Sequence, residues 1–184
     1  AAPIGRFNYL YTEVQQTALT ADERAKLEGV TVIKAGAEKM IVSGGKMPVY
    51  EADKRVTAFE SNGTLYVPFK TYEEILGYGL SKVEYDSEQN IVHLSRHDLS
   101  DDYKEITNLT WTYNVIGSLE ARNNGRVKTL SAPVTVTANG IFVPLTYISE
   151  VFGWNYLSLG NGLYAVSENA IDASLVTGVA SHIQ

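Results

Sequence analysis

The spacing of apolar residues along the chain predicts short strands and a few short helices. Residues 20–28 are predicted to form a helix, because Thr20 is a favourable N-cap and Glu23 completes a capping box. The apolar runs Val30–Ile33 and Met40–Val42 are each followed by a glycine turn, which is typical of strands. Residues 1–19 show no firm period, so the first elements predicted along the chain are this helix and two strands.

An internal repeat is the strongest signal in the pattern. Asn62–Phe69 matches Asn139–Leu145 with one residue fewer, and from Val67, matched to Val143, the repeat continues without a gap at an offset of 76. Each copy predicts an Asn-Gly turn, a short strand ending at Pro, two helical turns with one apolar stripe, and a closing Gly. The stripe comprises Phe69, Tyr72, Ile75 and Leu76 in the first copy and Leu145, Ile148, Val151 and Phe152 in the second.

A hairpin is predicted after each helix, so the order of elements indicates two α+β modules in tandem. The predicted divisions are an N-terminal segment at 1–39, a first module at 40–97, a linker or strand at 98–112, a second module at 113–172 and a tail at 173–184. The tail shows no clear closing element, and from this we expect the natural chain to continue beyond it.

The repeated unit resembles the copper amine oxidase N-terminal domain family, also called a stalk domain. The matching residues are Val67-Pro68-Phe69-Lys70, Glu74, Leu76-Gly77 and Val83-Glu84-Tyr85-Asp86 in the first copy, and Val143-Pro144-Leu145-Thr146-Tyr147, Glu150, Phe152-Gly153 and Trp154-Asn155-Tyr156 in the second. The family Arg is replaced by Lys70 and Thr146, so no role of that guanidinium is carried over.

The resemblance implies two tandem copies, at about 40–97 and 113–168, each a curved antiparallel sheet packed around one short helix. It also implies a non-catalytic appendage of an exported or cell-surface bacterial protein. Many such proteins carry a carbohydrate-active or cell-wall-active domain elsewhere in the chain.

Composition narrows the function classes. The chain has 184 residues, of which 45% are apolar and 20% are charged, which is typical of a globular protein. No stretch approaches the roughly 18 apolar residues of a membrane span, so no membrane insertion is expected. The formal net charge of −6, without a cationic cluster, argues against a nucleic acid partner. The absence of cysteine excludes thiolate chemistry and, beside the repeat, fits an exported bacterial protein.

No metal, cofactor or catalytic group is predicted. His93 and His97 lie in a predicted strand, where residues four apart are separated by some 13 Å. Glu74 and Glu150 occupy equivalent positions in the two copies, which favours a structural or solvated role over an acid pair for glycoside hydrolysis. The acidic residues Asp98, Asp101 and Asp102 lack the spacing of a calcium loop and are interpreted as part of a solvated linker.

The aromatic residues are the candidate ligand-binding groups. The chain has 12 Tyr, 5 Phe and 2 Trp, and Tyr combines an apolar body with a polar hydroxyl. Trp111 and Tyr113 lie in a strand-like segment and face the same side by alternation, and Tyr78 and Trp154 follow the closing Gly of each copy. The candidate glycan-binding residues are Tyr78, Trp154, Tyr156 and Tyr113. Burial in the seam between the modules is the favoured alternative, and Trp111 is expected in the core.

The sequence therefore predicts a non-catalytic accessory module of a secreted or cell-surface bacterial protein, acting in spacing, docking or weak binding of polysaccharide or cell wall. Its expected partners are a glycan and the adjoining domains of a larger chain. The alternatives are a structural spacer without ligand and, from another class, a small carbohydrate-active hydrolase with an unrecognised acid pair.

Overall fold

The computed structural model describes residues 18–184, which form mostly β-structure with a few short helices. The strands are β1 Val30–Lys34, β2 Lys39–Val42, β3 Gly45–Pro48, β4 Phe59–Ser61, β5 Thr64–Pro68, β6 Ser81–Asp86, β7 Ile91–Leu99, β8 Ile106–Val115, β9 Glu120–Asn123, β10 Arg126–Thr129, β11 Thr135–Thr137, β12 Gly140–Pro144, β13 Asn155–Ser158 and β14 Leu163–Ser167. The helices are α1 Ala21–Lys26, α2 Tyr72–Leu76, α3 Tyr147–Glu150 and α4 Ala173–Val179, with 3-10 turns at Phe69–Thr71 and Ala180–Ile183.

The local signals in the sequence correspond closely to these elements. The predicted capping box is present at α1, where the Thr20 side chain accepts from the Glu23 amide and the Glu23 carboxylate accepts from the Thr20 amide. The predicted strands and post-helical hairpins are confirmed at β1, β2, β6–β7 and β13–β14. Of the predicted N-terminal segment at 1–39, residues 1–17 lie outside the described residues.

The strands form three antiparallel sheets, one of which curls into a half-barrel. The first sheet has the order β13-β14-β1-β2-β3, the second β10-β9-β8-β7-β6, and the third β11-β12-β5-β4. The chain thus passes through the first, third and second sheets and returns through the third to the first. No helix within residues 18–184 is long and apolar enough to cross a membrane.

This arrangement corrects the prediction of an α+β fold with one sheet for each module. The third sheet joins the β4–β5 hairpin of the first repeated segment to the β11–β12 hairpin of the second, and β14 pairs with β1 across the chain. A two-stranded hairpin is marginal on its own in water, so the short strands of both segments complete each other's sheets. The boundaries of the predicted segments remain a prediction.

The pairing of β5 with β12 lies at the centre of the third sheet. Val67 lies directly opposite Val143, its equivalent in the repeat, and both side chains are fully buried. The Leu145 amide, just beyond β12, donates to the Leu65 carbonyl at 2.7 Å. Equivalent strands of the repeat therefore pair with each other, and each of them also pairs on its other side with the preceding strand of its own segment.

One large apolar core is built from both repeated segments. Its buried members include Val67, Tyr72, Leu76, Val83, Val92 and Leu94 from the first segment and Ala121, Val143, Leu145, Tyr147, Ile148 and Val166 from the second. The predicted helical stripes are confirmed in this core, because their central residues are almost fully buried. The helices α2 and α3 are held by this shared core.

The C-terminal segment contains a helix that the sequence reading missed. Asp172 caps α4 by accepting from the Leu175 amide at 3.2 Å, and Val176, Val179 and Ile183 are buried in a second apolar cluster with residues of β1. The expectation of a tail without a closing element is therefore wrong. The missed signal was an N-capping Asp followed by apolar residues at helical spacing.

Buried tyrosines connect the layers through their hydroxyl groups. Tyr72 on α2 donates to the Pro144 carbonyl at 2.7 Å, and Tyr147 on α3 lies 2.9 Å from the Thr112 hydroxyl on β8. Tyr164 on β14 donates to Glu60 on β4 at 2.7 Å, which links the first sheet to the third. These three tyrosines therefore satisfy their hydroxyl groups by hydrogen bonds to other elements of the fold. Burial raises the pKa of Tyr72 and Tyr147 above the ordinary tyrosine value.

The pH dependence of stability above pH 10 should reveal the hydrogen bond between Tyr164 and Glu60. Burial, with the hydrogen bond to Glu60, raises the pKa of Tyr164 from 10 to about 12. The unfolded state releases this proton first, so its contribution to stability is present below pH 10 and declines as the pH rises towards about 12. Tyr164→Phe cannot ionise. In urea unfolding across this pH range, the wild-type free energy should fall more steeply than that of the variant, and equal slopes would contradict the assignment.

Candidate functional site

On β8, in the second sheet, polar residues are buried and an aromatic residue is exposed, which is the reverse of the usual arrangement. Thr112 and Asn114 are fully or almost fully buried, whereas Trp111, which alternates with them, is 42% exposed. Tyr113 lies on the same side as Trp111, with the two ring centroids 5.3 Å apart. The prediction that these two aromatic residues share one face is confirmed. That face is the outer face of the sheet.

The buried polar side chains of β8 are held by hydrogen bonds. Thr112 donates to the Leu94 carbonyl at 2.7 Å and also lies beside the Tyr147 hydroxyl. The Asn114 amide donates to the Ser118 and Glu120 carbonyls at 3.0 and 2.7 Å. Because hydrogen-bonded polar groups are tolerated inside, the strand can turn its aromatic residues outwards.

Expectation and structure differ for Trp111, which was predicted to be a core residue. The large size and apolar character of Trp favour burial, but alternation along a strand does not say which of its two faces is covered. The buried residues that alternate with Trp111, Thr112 and Asn114, are polar, so residue type along the strand pointed to the wrong face. Trp111 is instead the most prominent aromatic side chain on the outer face.

Three rings form a cluster on this face. The His93 ring on β7 is stacked against Trp111, with a centroid distance of 5.6 Å and an interplanar angle of 22°. It also lies 6.1 Å from Tyr113. The mutual contacts restrict the orientation of each ring, so the cluster is preorganised before any ligand arrives.

Apolar neighbours extend this cluster along β8. Leu109 is 50% exposed and Val115 is 42% exposed, and both alternate in phase with Trp111 and Tyr113. We call these four residues, together with His93, the aromatic stripe. From Leu109 to Val115 the stripe extends about 20 Å along the strand.

Polar side chains flank the stripe in a row across the sheet. The strand register aligns Glu84, His93, Tyr113, Arg122 and Val127 on five neighbouring strands. A carboxylate thus stands on one side of the aromatic cluster and a guanidinium on the other. Both are hydrogen-bonding groups at positions where an extended ligand on the stripe would meet them.

The other predicted ligand-binding residues lie apart from the stripe. Tyr78 is 80% exposed in the turn after α2. Tyr156 is partly buried against the large core, and its ring lies 6.0 Å from that of Tyr164. Of the four residues named from the sequence, the structure therefore places only Tyr113 in the aromatic cluster, where it joins Trp111 and His93.

Trp154 belongs to a separate cleft, beside the end of α2. The Arg96 guanidinium lies over its ring, 5.6 Å from the centroid, and also donates to the Leu76 carbonyl at the C-terminus of that helix. Arg96 approaches Asp98 and Glu168 at 3.4 and 3.7 Å. We call this cavity of about 450 Å³ the Arg96 cleft.

The two equivalent glutamates have different surroundings. Glu150 accepts hydrogen bonds from the Ser131 amide and hydroxyl group at 3.0 to 3.2 Å, which fixes the loop before β11. Glu74 is half-buried and lines both the Arg96 cleft and a neighbouring cavity with Glu51 and Glu73, and burial together with those two carboxylates raises its pKa. The structure therefore does not give the two carboxylates a common environment.

Metal ligands are not brought together in the described part of the chain. Among residues 18–184, no group of three or more His, Asp and Glu side chains is arranged to hold a metal ion. His93 and His97 lie on β7, as the strand prediction expected, and His93 is engaged in the aromatic cluster.

Comparison with known families identifies the class of the protein. The family described as the copper amine oxidase N-terminal domain matches residues 42–156, more than half of the chain, and the chain belongs to this family. The match is one domain and does not show a second tandem copy, in contrast to the two copies inferred from the repeat. The chain is thus a non-catalytic module of the copper amine oxidase N-terminal type. Searches of curated proteins and of solved structures found no significant match.

Substitution of each tryptophan by Ala should lower the free energy of unfolding by different amounts on the exposed face and in the cleft. Trp111→Ala should lower the free energy of unfolding by no more than about 1 kcal/mol, because much of the ring is already in water. Trp154→Ala should lower it by about 2–3 kcal/mol, because the ring packs against the large core and Arg96. Urea denaturation measures both values. An equal loss for the two variants would contradict the surface position of Trp111.

Proposed function

We propose that the chain is a polysaccharide-binding accessory module and that the aromatic stripe contacts the glycan. The observation that carries the proposal is the cluster of the exposed Trp111 with the partly exposed Tyr113 and His93, whose ring centroids lie 5.3 to 6.1 Å apart. Sugars present apolar C–H surfaces that pack against aromatic rings, and their hydroxyl groups need polar partners at the edge of the contact. The stripe and its flanking row combine both kinds of group.

The shape of the stripe favours a linear polymer over a compact ligand. It follows one strand for about 20 Å, and the sheet beneath it holds its residues in a fixed spacing. The stripe itself carries no carboxylate, and the flanking charges of Glu84 and Arg122 are opposite in sign. A neutral or weakly charged glycan would therefore encounter no net electrostatic penalty on this surface.

The exposed apolar residues support a binding role over a purely structural one. Leu109, Trp111, Val115 and Val127 are each between 42% and 50% exposed on the same face of the second sheet. Several large apolar side chains exposed on one face of a sheet favour a binding surface. A spacer that has no ligand would gain nothing from keeping these side chains in water.

The setting that we propose is a secreted or cell-surface bacterial protein in which adjoining domains carry any catalytic activity. Support comes from the family, whose name describes an N-terminal domain that precedes another part of a longer protein. The module would then hold its neighbours near a polysaccharide or cell wall. A small hydrolase is disfavoured, since Glu150 is committed to the Ser131 loop rather than paired with Glu74.

Affinity electrophoresis tests glycan binding directly. Native gels containing hydroxyethylcellulose, xylan, laminarin or solubilised cell-wall glycan should retard the protein on at least one polymer. Trp111→Ala and Tyr113→Ala should each weaken that retardation by at least about tenfold, equivalent to about 1.4 kcal/mol of binding free energy. Tyr78→Ala is the matched control, because it removes an exposed Tyr ring that lies outside the stripe.

Four outcomes would contradict the proposal. Unchanged mobility on every polymer would favour the structural spacer. Retardation that survives Trp111→Ala would exclude the aromatic stripe, and equal losses in Tyr78→Ala would place the contact elsewhere. Sedimentation of the protein alone completes the test, because a dimer that Trp111→Ala dissociates would assign the stripe to a second copy instead.

A further inference from the structure

The Arg96 cleft is a cavity separate from the aromatic stripe, and its lining includes hydrogen-bonding groups without a partner among the described residues. It lies between the end of α2, the edge of the first sheet and the residues after β14. Its lining is apolar in part (Ile75, Leu80 and Trp154, here called the floor) and polar in part (Glu74, Arg96 and Glu168, here called the rim). Its volume of about 450 Å³ lies within the range of small-molecule sites.

Arg96 retains donors that no residue of the described chain satisfies. Its side chain is about four-fifths buried, and its Nε–H has no hydrogen-bond partner within residues 18–184. One Nη donates to the Leu76 carbonyl, whereas the other reaches Asp98 and Glu168 only at 3.4 and 3.7 Å. A buried N–H donor without an acceptor raises the free energy of the folded protein. A ligand oxygen atom that accepts from this edge of the guanidinium would remove that cost and so bind favourably.

The same cleft offers acceptors. The Glu74 carboxylate makes no hydrogen bond or ion pair within the described residues, although it is half-buried. Within the same residues, the Glu168 carboxylate makes only its contact with Arg96, at 3.7 Å. The lining of the cavity therefore combines the unpartnered Nε–H of Arg96 with the carboxylates of Glu74 and Glu168.

Charge limits the class of ligand. An anion that approached Arg96 would also meet the carboxylates of Glu28, Glu74 and Glu168. A cation would compete with Arg96, which already occupies the face of the Trp154 ring. An uncharged ligand with hydroxyl groups avoids both conflicts, because each hydroxyl donates to a carboxylate and accepts from the guanidinium.

We propose that the Arg96 cleft binds a single uncharged sugar unit, with its hydroxyl groups bonded to Arg96, Glu74 and Glu168 and its C–H surface on the apolar floor. The proposal extends the polysaccharide-binding function with a second subsite. It rests on the polysaccharide-binding function only because that function selects sugars among the uncharged molecules with several hydroxyl groups. The stripe and the cleft share no residue.

Fluorine NMR of the two tryptophans distinguishes the sites. The chain has only Trp111 and Trp154, so a protein labelled with 5-fluorotryptophan carries one probe on the stripe and one in the cleft. Trp111→Phe and Trp154→Phe assign the two signals. In titrations with glucose, xylose, galactose and N-acetylglucosamine, the Trp154 signal should shift saturably with at least one sugar.

Variants of the rim connect the shift to the proposed contacts. Arg96→Lys should weaken the response at Trp154 by about tenfold, because Lys lacks the planar fork. Since Arg96 also holds the end of α2, Glu74→Gln provides a second variant that spares this contact, and it should weaken the response several-fold. Arg126→Lys, at an exposed position of β10, is the matched control and should leave the Trp154 titration unchanged.

The outcomes separate this proposal from the polysaccharide-binding function. A Trp111 signal that responds to polymers while Trp154 responds to none of the four sugars would overturn the cleft and leave the stripe. A saturable Trp154 shift without any effect of polymers at Trp111 would support the cleft and contradict the stripe. A stronger Trp154 response to glucuronate than to glucose would overturn the assignment of an uncharged ligand, as would a response unaffected by both rim variants.

Discussion

The pairing of β5 with β12 is the constraint on which the rest of the structure depends. Val67 and Val143 are equivalent residues of the repeat, and they lie opposite each other, fully buried, at the centre of the third sheet. Once these strands pair, α2 and α3 must pack on the same side of one core. The hairpins after the helices are then carried to opposite ends, where β6–β7 completes the second sheet and β13–β14 completes the first. The exposed face of the second sheet and the Arg96 cleft are both consequences of that arrangement.

The aromatic residues divide between two tasks because the layers are thin. Tyr72, Tyr147 and Tyr164 fill the interior with their rings and satisfy their hydroxyl groups across the layers, which a Phe could not do. On β8 the division is reversed, because the buried positions are Thr112 and Asn114 and the rings point outwards. The hydrogen bonds of those polar residues stabilise an interior without large side chains there. The aromatic stripe is therefore compatible with folding but is not required by it.

Local elements were predictable from the sequence because their signals lie within a few residues of one another. One such signal is the Thr20–Glu23 capping box. Another is the apolar stripe of α2, which is followed by Gly77. The partner of each strand was not predictable, because β5 presents the same apolar pattern to any strand that could pair with it. For the same reason the repeat indicated two copies of the family, whereas the family match is one domain at 42–156. The orientation of Trp111 was missed because the alternation of side chains along a strand shows which residues share a face but not which face is buried.

Native-state hydrogen exchange tests most directly whether the two repeated segments depend on one another through the β5–β12 pair. The amides of β5 and β12 should be among the slowest to exchange, and the slowest amides of both segments should exchange with one common free energy, equal to that of global unfolding. That result would show a single cooperative unit centred on this pair. Exchange of the β12 and α3 amides at a distinctly lower free energy than those of β5 and α2 would show that one segment unfolds while the other stays folded, and would contradict the account.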